Sequence, residues 1–356
     1  MIKYTIPGIG QGCCVEQVAY LNCDKYRILY DCGTERAYTN ALQSYIDTID
    51  TGISTTLVIS HLHYDHISGI PYLLDHFKKH KHGHKIEKLY LPLYSHDVLI
   101  LFAMFIVARG TKDSFDEDNR LIRFIFNPQI NRNSEGVTRI MPYDDINIHD
   151  KGRRINHSNS EEAVTLESGI YWAMKFWVDD DVYTMFTPDD KEQLKGFHLE
   201  DFYKEEKKKD IIKVYKKIIN NLKINFNQTS MLMATYFQWN CKDKIICLTH
   251  EECHCFSRFL NDGFVCTGDY PFKKKEINKG KKIHDHYSDQ QILINKMMVP
   301  HHGSGKDYCE YIPFDFIKTA YAQNGVNNKY GHPSQNTRDF LKKLGIKFIN
   351  RQNRIY

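Results

Sequence analysis

Hydrophobic and polar positions divide the chain into three stretches of different texture. In the first sixty residues the apolar runs are short and rich in β-branched and aromatic side chains, so Val15 to Leu21 and Tyr26 to Tyr30 read as strands. Asn22, Cys23, Asp24 and Lys25 lie between them as a hairpin signal, and Asp31-Cys32-Gly33 reads as a turn that ends the second strand. Thr55 to Ser60 is unbroken apolar and β-branched sequence, the pattern of a strand buried on both faces, and it runs directly into His61. Helical spacing follows over Ile67 to His76, then a strand over Ile86 to Leu91 stopped by Pro92.

From residue 95 to 225 the texture changes to long charged and apolar segments. Val98 to Ala108 is the longest apolar run. It falls short of the roughly 20 residues that cross a bilayer, so it reads as a buried helix and no membrane span is expected. Glu200 to Lys223 carries isoleucines and leucines at helical intervals among lysines. Strand texture resumes at Met231 to Phe237, Lys244 to Leu248, Phe264 to Thr267, Lys296 to Val299 and Phe316 to Ala322, with a late helix over Gln335 to Leu344. No repeat or low-complexity linker divides the chain, so residues 1–356 are expected to form one α/β domain, with 95–225 a largely helical insertion within it.

Composition narrows the class. With 42% hydrophobic and 26% charged residues in 356 positions, the chain can build a sizeable core, and disorder is not the default. The segment Met1 to Gly8 lacks the charged, apolar and small-residue succession of a secretory leader, so a cytoplasmic protein is expected. In that compartment the ten cysteines read as thiols, and Cys13, Cys14, Cys23, Cys32, Cys266 and Cys309 sit in or beside apolar stretches as small hydrophobes. A formal charge of +4 is mild. Its distribution is uneven, with lysines gathered at 78–85, 204–223 and 273–282; each run reads either as a solvated face or as a phosphate-attracting patch.

The chemistry lies at the strand ends. His61-Leu62-His63-Tyr64-Asp65-His66 places four potential ligands within six residues directly after a buried strand, where imidazoles and carboxylates rarely gather unless a metal satisfies them. Thr267-Gly268-Asp269 follows another strand and sets a carboxylate where it could bridge two cations. Pro300-His301-His302-Gly303-Ser304 follows a third; one histidine of the pair is expected to bind metal, the other to face substrate oxygens with Ser304. Cys241, Cys247, Cys253, His254 and Cys255 fit no zinc spacing and read as loop residues, and His76, His80, His82 and His84 read as a solvated basic helix end.

This succession of segments resembles the metallo-β-lactamase superfamily. More narrowly it resembles the ComEC-like metallo-hydrolases, the family of a bacterial DNA-uptake protein's hydrolase domain and its free-standing relatives. Asn227-Gln228-Thr229-Ser230 before a strand and Tyr330-Gly331-His332-Pro333 agree with the narrower match. The resemblance covers residues 1 to about 94 and 226 to 356 and leaves the insertion out. It implies a four-layer αββα sandwich and a centre of two divalent metal ions, zinc or manganese. By the resemblance His61 and His63 hold the first metal, Asp65 and His66 the second, Asp269 bridges, and His301 completes the second site. Asp31 would orient the histidine loop, with Asn227 and Ser230 beside it. A further first-metal histidine of many superfamily members is here replaced by Asn227 to Ser230, which leaves the first metal with fewer strong ligands.

Two such cations can ionise a water at neutral pH and neutralise an attacked centre, which is hydrolysis without a protein nucleophile. Asp65 or Asp269 would orient the hydroxide, and His302, Ser304 or His332 would stabilise substrate oxygens or protonate a leaving group. The expected substrate is a phosphodiester in nucleic acid or a nucleotide. A small-molecule hydrolase acting on a cyclic nucleotide, lactone or thioester, and a silent binding or regulatory subunit, are the alternatives. The helical insertion could serve substrate, a second copy of the chain or a protein partner.

Overall fold

Strand alternation sorts the buried side chains into layers. In the computed structural model, which describes residues 2–21, 24–80, 86–92, 94–110, 115–126, 161–167, 170–179, 181, 184–222, 226–239, 263–273, 277–288, 293–305, 311–326 and 328–353, two sheets lie face to face. The first runs in the order β1 (Ile2–Thr5), β2 (Gly12–Leu21), β3 (Asp24–Thr34), β4 (Ser54–Val58), β5 (Ile86–Tyr90). The second runs in the order β12 (Lys347–Asn353), β11 (Thr319–Gly325), β10 (Ile294–Met298), β9 (Gly263–Cys266), β8 (Leu232–Trp239), β7 (Ile170–Trp177), β6 (Glu161–Glu167). Pairing is antiparallel from β1 to β3 and from β6 to β9, and parallel from β3 to β5 and from β9 to β12.

Ile28, Tyr30 and Val58 of the first sheet meet Trp172, Met174, Phe176, Met233 and Phe264 of the second in a shared core. Their neighbours Leu29 and Leu57 point the other way, into a core with the helices α1 (Thr39–Ile46), α3 (Ile70–Lys79), α4 (His96–Arg109), α5 (Phe115–Phe126), α6 (Pro188–Lys195) and α7 (Lys208–Asn221). A single turn of α-helix, α2 (Tyr64–Ile67), precedes α3. On the far side Ala173, Ala234 and Val265 pack on α8 (Ile277–Ser288) and α9 (Gln335–Lys343). Period-two alternation in both sheets therefore builds the expected αββα order of layers.

The 95–225 stretch differs in one respect from a helical insertion. Its β6 and β7 extend the second sheet beyond β8, because Trp172, Met174 and Phe176 alternate with Ala173 and Lys175 and so supply an inward apolar face. The other elements described in this stretch are helices. Helix α4 starts at Ser95, whose hydroxyl accepts from the Val98 amide, and every residue from Val98 to Val107 is buried. A helix apolar on all sides needs cover on all sides, which α5, α6 and α7 provide. The helices read over 67–76, 200–223 and 335–344 appear as α2 with α3, α7 and α9. The expected strand at 244–248, the cysteine group of 241–255, Cys23, Cys309, His82 and His84 lie outside the described residues. Cys13, Cys14, Cys32 and Cys266 are buried free thiols, as expected. His76 is buried rather than solvated, its Nε2 3.0 Å from the Ile49 carbonyl.

Among the described residues, no helix is long and apolar enough to cross a membrane.

Candidate metal centre

The centre is assembled at one end of the sandwich, where β3, β4, β9 and β10 run out into loops. Asp31-Cys32-Gly33 is not a terminating turn: β3 continues to Thr34, and the pairing with β2 slips between Cys13 and Val15. Asp31 takes φ 55°, a left-handed conformation that costs a non-glycine residue energy and persists where its surroundings fix it. The bulge turns its carboxylate under the histidine loop. Asp31 accepts from the Ser60 amide at 2.6 Å and from the Ser60 hydroxyl at 2.7 Å, and lies 2.7 Å from His66 Nδ1. Gly33 lets that loop approach, since a Cβ there would stand 2.5 Å from the His66 amide nitrogen.

His61, His63 and His66 are all buried. His61 Nε2 and His63 Nδ1 face each other at 2.8 Å, while His61 Nδ1 lies 2.9 Å from the Ser60 hydroxyl and 3.2 Å from that of Ser230. His66 turns Nδ1 to Asp31 and Nε2 to Asp269 Oδ1, 3.1 Å away. Thr267-Gly268-Asp269 brings the carboxylate over from β9, with Gly268 at φ 53° and the Asp269 amide donating to Ser230 Oγ.

His301 and His302 straddle Asp269. Both adopt left-handed backbone (φ 47° and 55°), which coils the chain so that neighbouring rings flank one carboxylate instead of pointing apart. Oδ2 of Asp269 lies 3.7 Å from Nε2 of His61 and 3.7 Å from Nε2 of His301; Oδ1 faces His66 and, at 4.0 Å, His302. His302 Nε2 is also 3.3 Å from Asp65 Oδ2, and its Nδ1 lies 3.0 Å from the Gln323 carbonyl. A carbonyl only accepts, so Nδ1 carries a proton, and Nε2 is the nitrogen turned to the carboxylates. His302 thus stands beside Asp65, in the place that the resemblance gives to His301. His301 stands on the His61 side, its Nδ1 2.9 Å from the Asn227 amide.

Burial and charge set the protonation of the group. Burial, with the charge of His66 and then His63, pushes His61 well down, and burial pushes His63 down to about 4 against the pull of Asp65 and Asp269. Burial opposes ionisation of Asp65, yet the His302 hydrogen bond and the charge of His66 hold it well below the usual carboxylate range. Asp269 likewise stays well below that range despite burial, through His301 and His66. His66 is raised in spite of burial by Asp269 and Asp31.

Two sets of donors come within 4.8 Å of one another: His61, His66 and Asp269, and Asp65, His66 and His302. Cys13 approaches Asp31 and His66, but burial, with Asp31 next, pushes its thiol up to about 12, so it stays protonated and is a poor ligand. The donor set fits a divalent metal ion. His61 Nε2 and His63 Nδ1 meet at 2.8 Å, where a single proton can join them, and His63 Nε2, boxed by Phe102, Phe105 and Phe226, has no hydrogen-bond partner among the described residues, so the buried imidazoles keep unused donor capacity beside two carboxylates. Imidazoles with carboxylates and no thiolate suit zinc or manganese.

Above the donors opens a pocket of about 210 Å³, lined among others by His63, Asp65, Asp269, His301 and His332. His332 is fixed by its backbone: its carbonyl accepts from the amides of Asn324 and Asn328, and its own amide donates to Asn328 Oδ1. Ser304 is buried and is not among the pocket's lining residues. Sequence reasoning missed Ser60, which touches Asp31, His61 and His66, although its place just before His61 was a signal. It also missed Gln11, Glu35 and Arg109 on the pocket wall, which nothing in one dimension connects.

Residues 14–136 match the family model described as Metallo-beta-lactamase superfamily. A stretch of 68 residues is 35% identical to Cleavage and polyadenylation specificity factor subunit 3-I of Arabidopsis thaliana, covering 19% of this chain and 9% of that protein. The chain thus spans under a tenth of that relative's length. A crystal structure of a beta-lactamase domain protein from Burkholderia ambifaria aligns at 12% identity and a TM-score of 0.23, over 49% of this chain and 45% of that one. The histidine loop, His61 to His66, lies inside the region that matches the superfamily model, and Asp269, His301 and His302 lie beyond it.

Proposed function

We propose that the protein is a metal-dependent phosphodiesterase acting on nucleic acid, close in kind to the ComEC-like hydrolases that its sequence resembles. The observation that carries this reading is the division of Asp269, one oxygen toward His66 and His302 and the other toward His61 and His301. A carboxylate shared in this way suits two cations. His61, His63 and His301 would hold the first, Asp65, His66 and His302 the second, with Asp269 between them. His301 fills the place left by the missing first-metal histidine.

When bound, a pair of zinc or manganese ions supplies hydroxide at neutral pH and neutralises the phosphoryl oxygens. The chain's own groups do the rest. Asp65, kept ionised by His302 and His66, accepts a hydrogen bond from the attacking water and aims its oxygen at phosphorus. The new P–O bond forms as the ester P–O bond breaks, and His332, held by Asn324 and Asn328 at the pocket wall, gives the leaving oxygen its proton. The aromatic box of Phe102, Phe105 and Phe226 keeps water from the back of His63.

Preference for a phosphodiester draws on the ComEC-like segments, on the lysine runs and on the matched Arabidopsis protein, whose name places it in cleavage and polyadenylation. The test is incubation of the purified protein with single- and double-stranded oligonucleotides in zinc or manganese. Wild type should cleave, and Asp65→Ala should be slower by about 10²–10⁴-fold, the range for loss of a proton-handling group. Equal cleavage by the variant would assign the activity to a contaminant.

A further inference from the structure

The pocket walls are rich in carboxylates, with Asp65, Asp269 and Glu35 all lining them. An anionic substrate entering there needs a positive counterpart besides the cations. Apart from histidines, Arg109 is the cationic side chain among the described residues of the lining. It is the last residue of α4, so it comes from the inserted segment and not from the strands and loops that carry the metal donors.

We propose that Arg109 is the phosphate anchor of this pocket, gripping a phosphate that neighbours the scissile one; the proposal rests on the phosphodiesterase reading. Three features hold the guanidinium ready without consuming its donors. Its carbon sits 5.0 Å from the centroid of the Phe105 ring, a stacking that leaves the in-plane N–H groups free of that contact. Its place at a helix C-terminus suits a cation. Among the described residues no carboxylate forms an ion pair with it, for Glu35, the acid on the same wall, is engaged by the Tyr330 hydroxyl at 2.6 Å.

Arg109 shares the pocket wall with His63 and with Tyr330. Tyr330 is 41% exposed and lies nearly parallel to His332, 14° apart with centroids at 5.5 Å. A phosphate held by Arg109 would leave the adjoining part of the substrate beside this aromatic pair. A planar fork of donors matches two phosphate oxygens at once, which a lysine ammonium cannot do. Arg109→Lys should therefore keep the charge and lose part of the grip.

Two measurements on the metal-loaded protein separate this proposal from the reading beneath it. The first is orthophosphate binding by calorimetry, comparing wild type with Arg109→Gln and Arg109→Lys. Arg109→Gln should bind about tenfold more weakly, the loss of one charge-assisted pair, and Arg109→Lys should fall between. The second is oligonucleotide cleavage across salt concentrations. Arg109→Gln should raise KM more than it lowers kcat, and its log–log salt slope should be shallower by roughly 0.7 to 0.9, one phosphate contact. Wild-type phosphate affinity and salt slope in Arg109→Gln would overturn the anchor while leaving cleavage by wild type, and so the function, intact. Weakened phosphate binding in a protein that cleaves no phosphodiester would do the reverse.

Discussion

Asp31 and His66, 35 positions apart, meet at 2.7 Å, carboxylate oxygen to Nδ1, at the floor of the histidine loop. The contact fixes the tautomer of His66 and turns Nε2 upward to Asp269. Asp31→Asn keeps the shape and removes the charge. Metal affinity, read by competition with a chelator, is expected to fall by about 10–100-fold, as loss of such an orienting partner commonly costs. Unchanged affinity would mean that Ser60 and the backbone alone set the ring.

The two adjacent histidines should separate in a titration of bound metal. His302 faces Asp65 and His301 faces the outer oxygen of Asp269, so each replacement by alanine removes a donor from a different side. His302→Ala is expected to lose the cation on the Asp65 side and retain the other, and His301→Ala the opposite. Spectroscopy of the cobalt-substituted variants would read which site is left; identical spectra would contradict the division.

Phe102 links the metal loop to the core. It is fully buried, stacks on Phe226 with centroids 4.6 Å apart, and meets the edge of His63 at 5.6 Å. Phe102→Ala should destabilise the protein by about 3–5 kcal/mol through the cavity it leaves. Chemical denaturation of the metal-loaded protein measures this directly. A loss under 1 kcal/mol would show that α4 repacks and that the aromatic box is not a rigid back wall.

Much of this was legible in one dimension because the histidine loop is local. Six consecutive positions carry His61, His63, Asp65 and His66, and a run of buried strand points to where they begin. Asp269 and the His301-His302 pair were legible for the same reason, each standing just past a strand. Which ring meets which carboxylate was not, since it depends on left-handed backbone at two non-glycine residues, a conformation that sequence pattern does not announce. Asp31 shows the same limit: its segment has the composition of a turn, but pairing with β2 carries the strand past it as a bulge. Strand β7 was masked by its surroundings, its alternation of Trp172, Met174 and Phe176 lying between long helical stretches. Arg109 reaches the pocket only through the packing of α4, a tertiary fact with no local trace.

The central claim is that the early histidine loop and the late Asp269, His301 and His302 enclose two cations. Anomalous diffraction from crystals grown with zinc or manganese tests it most directly. Two peaks are expected, one among His61, His63 and His301 and one among Asp65, His66 and His302, with Asp269 reaching both. Peaks elsewhere, with this cluster left vacant in crystals that hold the metal, would contradict the account.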